Sequence, residues 1–315
     1  MPAEERVSFY SDGDEVVGTL FVPDDLRAGE RRAAVVLAPG YIAVKEWVYG
    51  QAKTLCAEGY VALTFDYRGG PGESRYRGAP NPPGVVVLFP DAAVWDVRSA
   101  VRYLLTRNEV NGERIGLLGS SAGGAYVVAA AAAEPKVACV ISEGGIGDGY
   151  RWARTARTPW QFRSYMRKIE EDKARRVVTG KSEPIPNTEF MVFNPEETKA
   201  WAEIARQFPR MAQGTLSTPL AVCERWLEFK PEAVVATIAP RPILFIGEET
   251  SDLVPPEEVP LFYEKAREPK KLVIAPASVV PSRYKKFDWA NEARYIPWMW
   301  SHMLEWFRTH IPSRS

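Results

Sequence analysis

The chain has 315 residues, of which 46% are hydrophobic, 25% charged and 11% aromatic, enough apolar mass for a substantial core in one large domain or two ordinary ones. Forty basic side chains balance forty acidic ones, which argues against a nucleic-acid or anionic-membrane partner. The apolar run Ala122–Ala133 is too short to cross a bilayer and the first residues lack the pattern of a signal peptide, so a cytoplasmic protein without membrane attachment is expected.

In chain order, strand and helix signals alternate. Val16–Val22 reads as a strand before Pro23, and Ala33–Ala38 as a second closed by Pro39-Gly40. Trp47–Glu58 is predicted helical with Gly59 as its stop, and Val61–Phe65 is a strand that opens into a Gly/Pro-rich loop over 68–84. Val94, Val97, Val101, Leu104 and Leu105 share one helical face after Asp91. Ile115–Leu118 and Val137–Ile141 are further strands around the small-residue helix Ala122–Ala133. The rhythm resumes with strand Pro242–Ile246, helix Leu261–Arg267, strand Leu272–Ala275 and helix Trp289–His310. Continuous apolar runs suit strands buried on both faces, and repeated strand–helix units give a mainly parallel central sheet flanked by helices. Between Gly147 and Val235 strand signals vanish and three helices are predicted, Trp160–Val178, Pro195–Phe208 and Leu220–Phe229. Residues 1–146 and 236–315 are therefore expected to form an α/β core and 147–235 a helical cap over the strands' C-terminal edge.

Gly119-Ser120-Ser121-Ala122-Gly123 fits G-x-S-x-G, with a strand leading in and a helix leading out. Glycines flank the serine because a sharp strand-to-helix turn leaves no room for neighbouring β-carbons. Ser121 then projects from the turn, and the N–H groups of Ala122 and Tyr41 are the expected oxyanion donors.

At this point the chain resembles the α/β-hydrolase superfamily, in particular its dienelactone-hydrolase and peptidase-like branch with a helical cap. The resemblance rests on Pro39-Gly40-Tyr41, Asp66-Tyr67-Arg68-Gly69 followed by Gly72-Glu73-Ser74, the elbow, and Arg241-Pro242 through Leu253-Val254-Pro255-Pro256-Glu257. It implies the α/β-hydrolase fold with a helical cap insertion, and a serine, acid, histidine order for the triad.

Two of those positions depart from the pattern. Relatives carry an aspartate immediately before x-Leu-Val-Pro-Pro; here Ser251 stands there and Asp252 one residue later. Asp252 and Glu143, at the end of the Val137–Ile141 strand, are the candidate acids. Val280 stands where the histidine is expected, and the two histidines, His302 and His310, both fall in the terminal helix. A serine hydroxyl without a base is a weak nucleophile at neutral pH.

Three functions follow as expectations. The first is a non-hydrolytic enzyme (addition, cyclisation or carbon–carbon coupling) acting on an aromatic or polyketide-like intermediate. Here the chain resembles triad-deficient hydrolase-like enzymes of actinobacterial natural-product pathways, including aromatic polyketide and enediyne ones. The second is a serine esterase, thioesterase or peptidase with an unconventional base, for which Lys285 and Lys286 are also candidates. The third is a non-catalytic small-molecule binder. Tyr76, Phe89, Trp152, Trp160, Phe162, Tyr165 and Trp226 are the candidates to line a pocket for a hydrophobic or aromatic ligand. Neither metal-ligand spacing nor a nucleotide fingerprint is present, so no cofactor is expected. The three cysteines (Cys56, Cys139, Cys223) read as buried hydrophobes, and the aromatic terminal stretch Tyr295–Trp300 admits a homodimer.

Overall fold

A computed structural model of the chain describes residues 2–79, 84–193, 195, 198, 199, 208, 217–251, 253–279 and 289–314, with backbone only for 289–296. Its first element is a hairpin. β1 (Ala3–Ser11) and β2 (Asp14–Val22) pair antiparallel, with Asp12 (φ 50°) and Gly13 (φ 85°) as the two-residue turn. Two positive-φ residues give such a turn a twist that matches the flanking strands. Sequence reading located only the second of this pair. β1 is an edge strand that exposes Ala3–Arg6 and buries only Val7, Phe9 and Ser11, so it lacks a continuous apolar run.

β3 (Arg32–Ala38) and β4 (Val61–Phe65) are buried at every residue, and between them a 3-10 turn (Lys45–Val48) leads into helix α1 (Tyr49–Ala57). Helix α2 (Pro90–Leu104) precedes β5 (Val110–Ser120), α3 (Ala122–Ala133) and β6 (Val137–Glu143). The cap segment carries α4 (Gly149–Thr155), α5 (Pro159–Thr179), the short strand β7 (Pro184–Pro186), α6 (Asn187–Phe190), β8 (Ser217–Pro219) and α7 (Leu220–Glu228). The core resumes at β9 (Ile243–Glu248), α8 (Glu258–Lys265), β10 (Lys270–Ala275) and α9 (Trp289–His310). Within the cap, β7 and β8 form an antiparallel ribbon that the all-helical reading missed; three-residue strands bounded by prolines leave no period to detect. The predicted helix Pro195–Phe208 lies largely outside the described residues. α8 starts three residues earlier than predicted and stops two earlier, because Pro260 is tolerated in a first helical turn.

The main sheet has the order β1-β2-β4-β3-β5-β6-β9-β10, antiparallel through β1, β2 and β4 and parallel from β4 onward. Alternate residues of each inner strand enter different layers. Val36, Leu117 and Phe245 pack with α2, α3, α8 and the cap, whereas Val35, Leu118 and Leu244 pack with α1 and α9. This double burial explains why these strands read as unbroken apolar runs. It also accounts for the aromatic terminal helix, whose Met299, Trp300, Met303 and Phe307 are buried against the sheet. All three cysteines are free and buried. Among the described residues no helix is long and apolar enough to cross a membrane.

Candidate active site

The C-terminal ends of β5, β6 and β9 lie side by side. Ser120 pairs with Glu143, and Glu143 with Ile246, so Glu248 ends the neighbouring strand two residues further on. Open α/β sheets bind ligands at this edge. Ser121 sits there with φ 55° and ψ −124°, a conformation L-residues rarely adopt, held by its N–H to Glu143 O at 2.7 Å and by Gly124 N–H to its own carbonyl at 2.9 Å. The elbow glycines are required by close approach. A β-carbon on Gly119 would lie 2.2 Å from Gly123 O, and one on Gly123 would lie 2.1 Å from Ala38 O.

The N–H groups of Tyr41 and Ala122 donate to no acceptor among the described residues, and both residues line the same pocket as Ser121. The loop carrying Tyr41 is tied down on one side by Asp66. Its carboxylate accepts from Lys45 N–H at 2.7 Å, Lys45 Nζ at 3.1 Å and Glu73 N–H at 2.9 Å, while Ser74 Oγ donates to Asp66 O at 2.6 Å. The Asp66-Tyr67-Arg68-Gly69 and Gly72-Glu73-Ser74 stretches thus fix the loop that carries Tyr41. On the other side the Tyr41 hydroxyl meets Thr218 Oγ1 at 3.0 Å, and the Thr218 hydroxyl donates to Asn187 Oδ1, so a buried polar chain joins the loop to the cap ribbon. Thr218→Val keeps the shape and deletes the hydroxyl that both neighbours meet. It is expected to lower the unfolding free energy by about 1–3 kcal/mol in urea denaturation, and a change indistinguishable from zero would mean that the chain is not formed.

Two lobes meet at Ser121 and share Leu253 and Val254. The apolar lobe is partly open to solvent and is walled by Tyr41, Ile146, Trp152, Phe190, Met191 and Trp226. The polar lobe, also partly open, brings Glu143, Glu248 and Ser251 beside Ser121. Of the expected pocket aromatics, the structure therefore places Trp152 and Trp226 at the serine. The other five do not line either lobe. Tyr76 faces Phe89 at 6.3 Å, Phe162 packs on Tyr150 at 5.4 Å, and Tyr165 is buried beneath Arg157, whose guanidinium lies 4.1 Å from the ring centre. Trp160 is 65% exposed, because it follows the Thr158 cap of α5 on that helix's outer side.

Ser251 Oγ accepts from Val254 N–H at 3.3 Å and so closes the turn after β9. Asp252, Val280, Lys285 and Lys286 lie outside the described residues. Glu248 was missed by sequence reading, which ended its strand at Ile246; the signal was the Gly-Glu pair that follows. Glu249, one residue on, accepts from Ala277 N–H at 2.7 Å and ties this edge to the loop after β10.

Both histidines sit on α9, His302 against Trp298 at 4.6 Å and His310 against Trp306 at 4.3 Å, and neither lines either lobe. Ser121 Oγ makes no hydrogen bond to any described residue. Three buried protic side chains do not supply a base in place of the imidazole. Burial pushes the Tyr41 and Tyr126 phenols well above their ordinary range and the Cys223 thiol up to about 12, so all three stay protonated at neutral pH. Among the described residues, no group of three or more His, Cys, Asp or Glu is arranged to hold a metal ion.

The sheet order, the strained serine at the strand-to-helix turn and the two unengaged N–H groups beside it are those of the α/β-hydrolase fold. The sequence model of the prolyl oligopeptidase family matches residues 47–194, the stretch from the 3-10 turn before α1 through the elbow into the cap. Uncharacterized protein PA2218 of Pseudomonas aeruginosa is 27% identical over 298 residues, covering 88% of this chain and 74% of that protein. Its crystal structure superposes with a TM-score of 0.75 over 98% of this chain and 94% of the other, at 23% identity. The α/β hydrolase GrgF from Penicillium sp. sh18 gives the same TM-score over 98% of this chain and 99% of its own, at 22% identity. A 2,6-dihydropseudooxynicotine hydrolase of Paenarthrobacter nicotinovorans is 30% identical over 174 residues, 54% of this chain and 44% of that enzyme.

Proposed function

We propose that this chain is an enzyme that binds a hydrophobic, ring-bearing carbonyl compound beside Ser121 and promotes addition, cyclisation or carbon–carbon coupling, not hydrolysis through a serine triad. The observation that carries this reading is the placement of both histidines on α9, outside the two lobes that meet at Ser121. Losing the triad histidine costs on the order of a million-fold in turnover, while oxyanion donors and binding retain roughly a thousandfold over water. What remains suits enolate chemistry. The N–H groups of Tyr41 and Ala122 hold the carbonyl oxygen as negative charge develops on it, and Ser121 Oγ donates to the same oxygen. A carboxylate of the polar lobe, Glu143 or Glu248, takes the α-proton, and the carbon so freed adds to a second electrophilic carbon held in the lobe. The proton then returns from the carboxylic acid to the new oxyanion or carbanion. Holding both partners together is itself worth several kcal/mol.

A second reading, a serine hydrolase with a carboxylate base, is favoured by Glu143 and Glu248 sharing a lobe with Ser121 and by the hydrolase among the relatives. One experiment separates the two. With p-nitrophenyl acetate at neutral pH, the proposed enzyme releases no stoichiometric burst, and Ser121→Ala changes steady turnover by less than about tenfold. A burst of one equivalent per chain that disappears in Ser121→Ala establishes the hydrolase.

A further inference from the structure

Four side chains of the apolar lobe can donate a hydrogen bond: Tyr41, Ser121, Trp152 and Trp226. Two are already engaged. The Tyr41 hydroxyl is in contact with Thr218 Oγ1, and Trp152 Nε1–H donates to Leu253 O at 2.8 Å. Ser121 stands at the elbow. Trp226 is different: it is 2% exposed, and its Nε1–H has no hydrogen-bond partner among the described residues. Its ring is packed by Tyr126 and Phe229, both at 5.6 Å, by Trp152 at 6.1 Å and by Tyr41 at 6.2 Å, and no polar atom of these neighbours accepts from it. Native interiors pair almost all such groups, since a buried N–H that has lost water and found no acceptor is destabilising. The neighbouring Tyr126 hydroxyl is likewise buried without a partner, and the lobe that Trp226 lines is the side from which a group from outside comes nearest to the indole.

We propose that the ligand of this lobe carries a second hydrogen-bond acceptor, besides the carbonyl held at the elbow, and that Trp226 Nε1–H donates to it. The inference rests on the reading of the lobe as a carbonyl-binding site and narrows its ligand to an apolar ring compound with two oxygen acceptors, an aryl diketone being the simplest form. Such a donor sets orientation as well as affinity. A substrate held at both oxygens presents one face to Ser121, which a coupling or cyclising enzyme needs to fix the geometry of the new bond.

Calorimetric titration of the full chain tests this with 1,3- and 1,4-diacetylbenzene against 3- and 4-isopropylacetophenone, which replace one carbonyl by a hydrocarbon of similar shape. Two variants accompany the parent: Trp226→Phe, and the chain with β-(3-benzothienyl)alanine at position 226, which keeps the bicyclic volume without the donor. For at least one isomer the affinity ratio of diketone to monoketone is expected to fall about tenfold or more in both variants. In proton–nitrogen spectra of the parent, the indole cross-peak absent from Trp226→Phe is expected to move with the diketone and to stay in place with the monoketone. An unchanged ratio in the benzothienyl chain, or an unmoved cross-peak, overturns the proposal while leaving the carbonyl site standing. Failure of every ketone to bind the parent overturns both.

Discussion

Placing Asp at Ser251 and His at Val280 in one chain is expected to raise hydrolysis of p-nitrophenyl acetate at pH 7 by about a thousandfold over the parent. The gain stays below the million-fold that a mature triad owes to its histidine, because an installed base rarely meets the geometry of one that evolved there. Even so, three decades correspond to roughly 4 kcal/mol of barrier. The elbow, the N–H groups of Tyr41 and Ala122 and the polar lobe are already in place, so only the base and its orienting acid are being supplied. Ser251 is suited to the change because it lines the polar lobe and already accepts from Val254 N–H, a bond that an aspartate can keep. Position 251 alone should give little, and position 280 alone an intermediate gain, since members of a triad act as a unit. Release of p-nitrophenolate, normalised to folded protein by circular dichroism, is the measurement. A double variant that folds yet stays within about threefold of the parent would place the missing base somewhere other than residue 280.

The residues that made the elbow legible are those whose chemistry is local. A serine between glycines, entered by a buried strand and left by a small-residue helix, is a statement about backbone space, and Gly119 and Gly123 show why: each faces a carbonyl oxygen closer than any β-carbon tolerates. The inner strands were legible for a related reason. Burial on both faces removes the need for polar residues, so β3 and β4 read as apolar runs with no alternation to misjudge. What resisted reading depends on partners distant in sequence. β1 is recognisable only once β2 lies beside it, although Asp12-Gly13 between them carries a strong hairpin signature. The pocket aromatics resisted for the same reason. Trp152 and Trp160 are the same residue type a few positions apart, yet one walls the lobe and the other faces solvent, because α4 and α5 dock through different faces. Nothing in the local sequence says which face that is. Glu248 was overlooked because a carboxylate ending a buried strand looks like the strand's boundary until the neighbouring strands place it beside Ser121.

Glu258→Ala is expected to cost about 3 kcal/mol of stability and, separately, to weaken ketone binding in the lobe. Glu258 is 1% exposed at the start of α8, and its carboxylate accepts from the N–H of Gly147 at 2.9 Å, the N–H of Asp148 at 3.1 Å and Arg151 Nε at 2.8 Å. Arg151 in turn forks onto Glu232, with contacts of 3.1 and 2.6 Å. This network fastens the first turn of the cap to the core at the point where the chain leaves β6. Removing the carboxylate strands two backbone donors and deletes the bidentate pair it makes with Nε and one Nη of Arg151, which is why the loss should exceed that of a surface ion pair, worth about 0–1 kcal/mol. The effect on binding follows from geometry. Trp152 is the next residue after Arg151, walls the apolar lobe and is tied to Leu253 O, so loosening the start of α4 moves a wall that the ligand touches. Urea denaturation and calorimetric titration with 1,4-diacetylbenzene measure the two consequences on one preparation. A full loss of stability with unchanged affinity would mean that the clamp holds the fold but not the pocket wall. Unchanged stability would show that Gly147, Asp148 and Arg151 find other acceptors, and the cap would then be fastened through its Thr218 contact with Tyr41 instead.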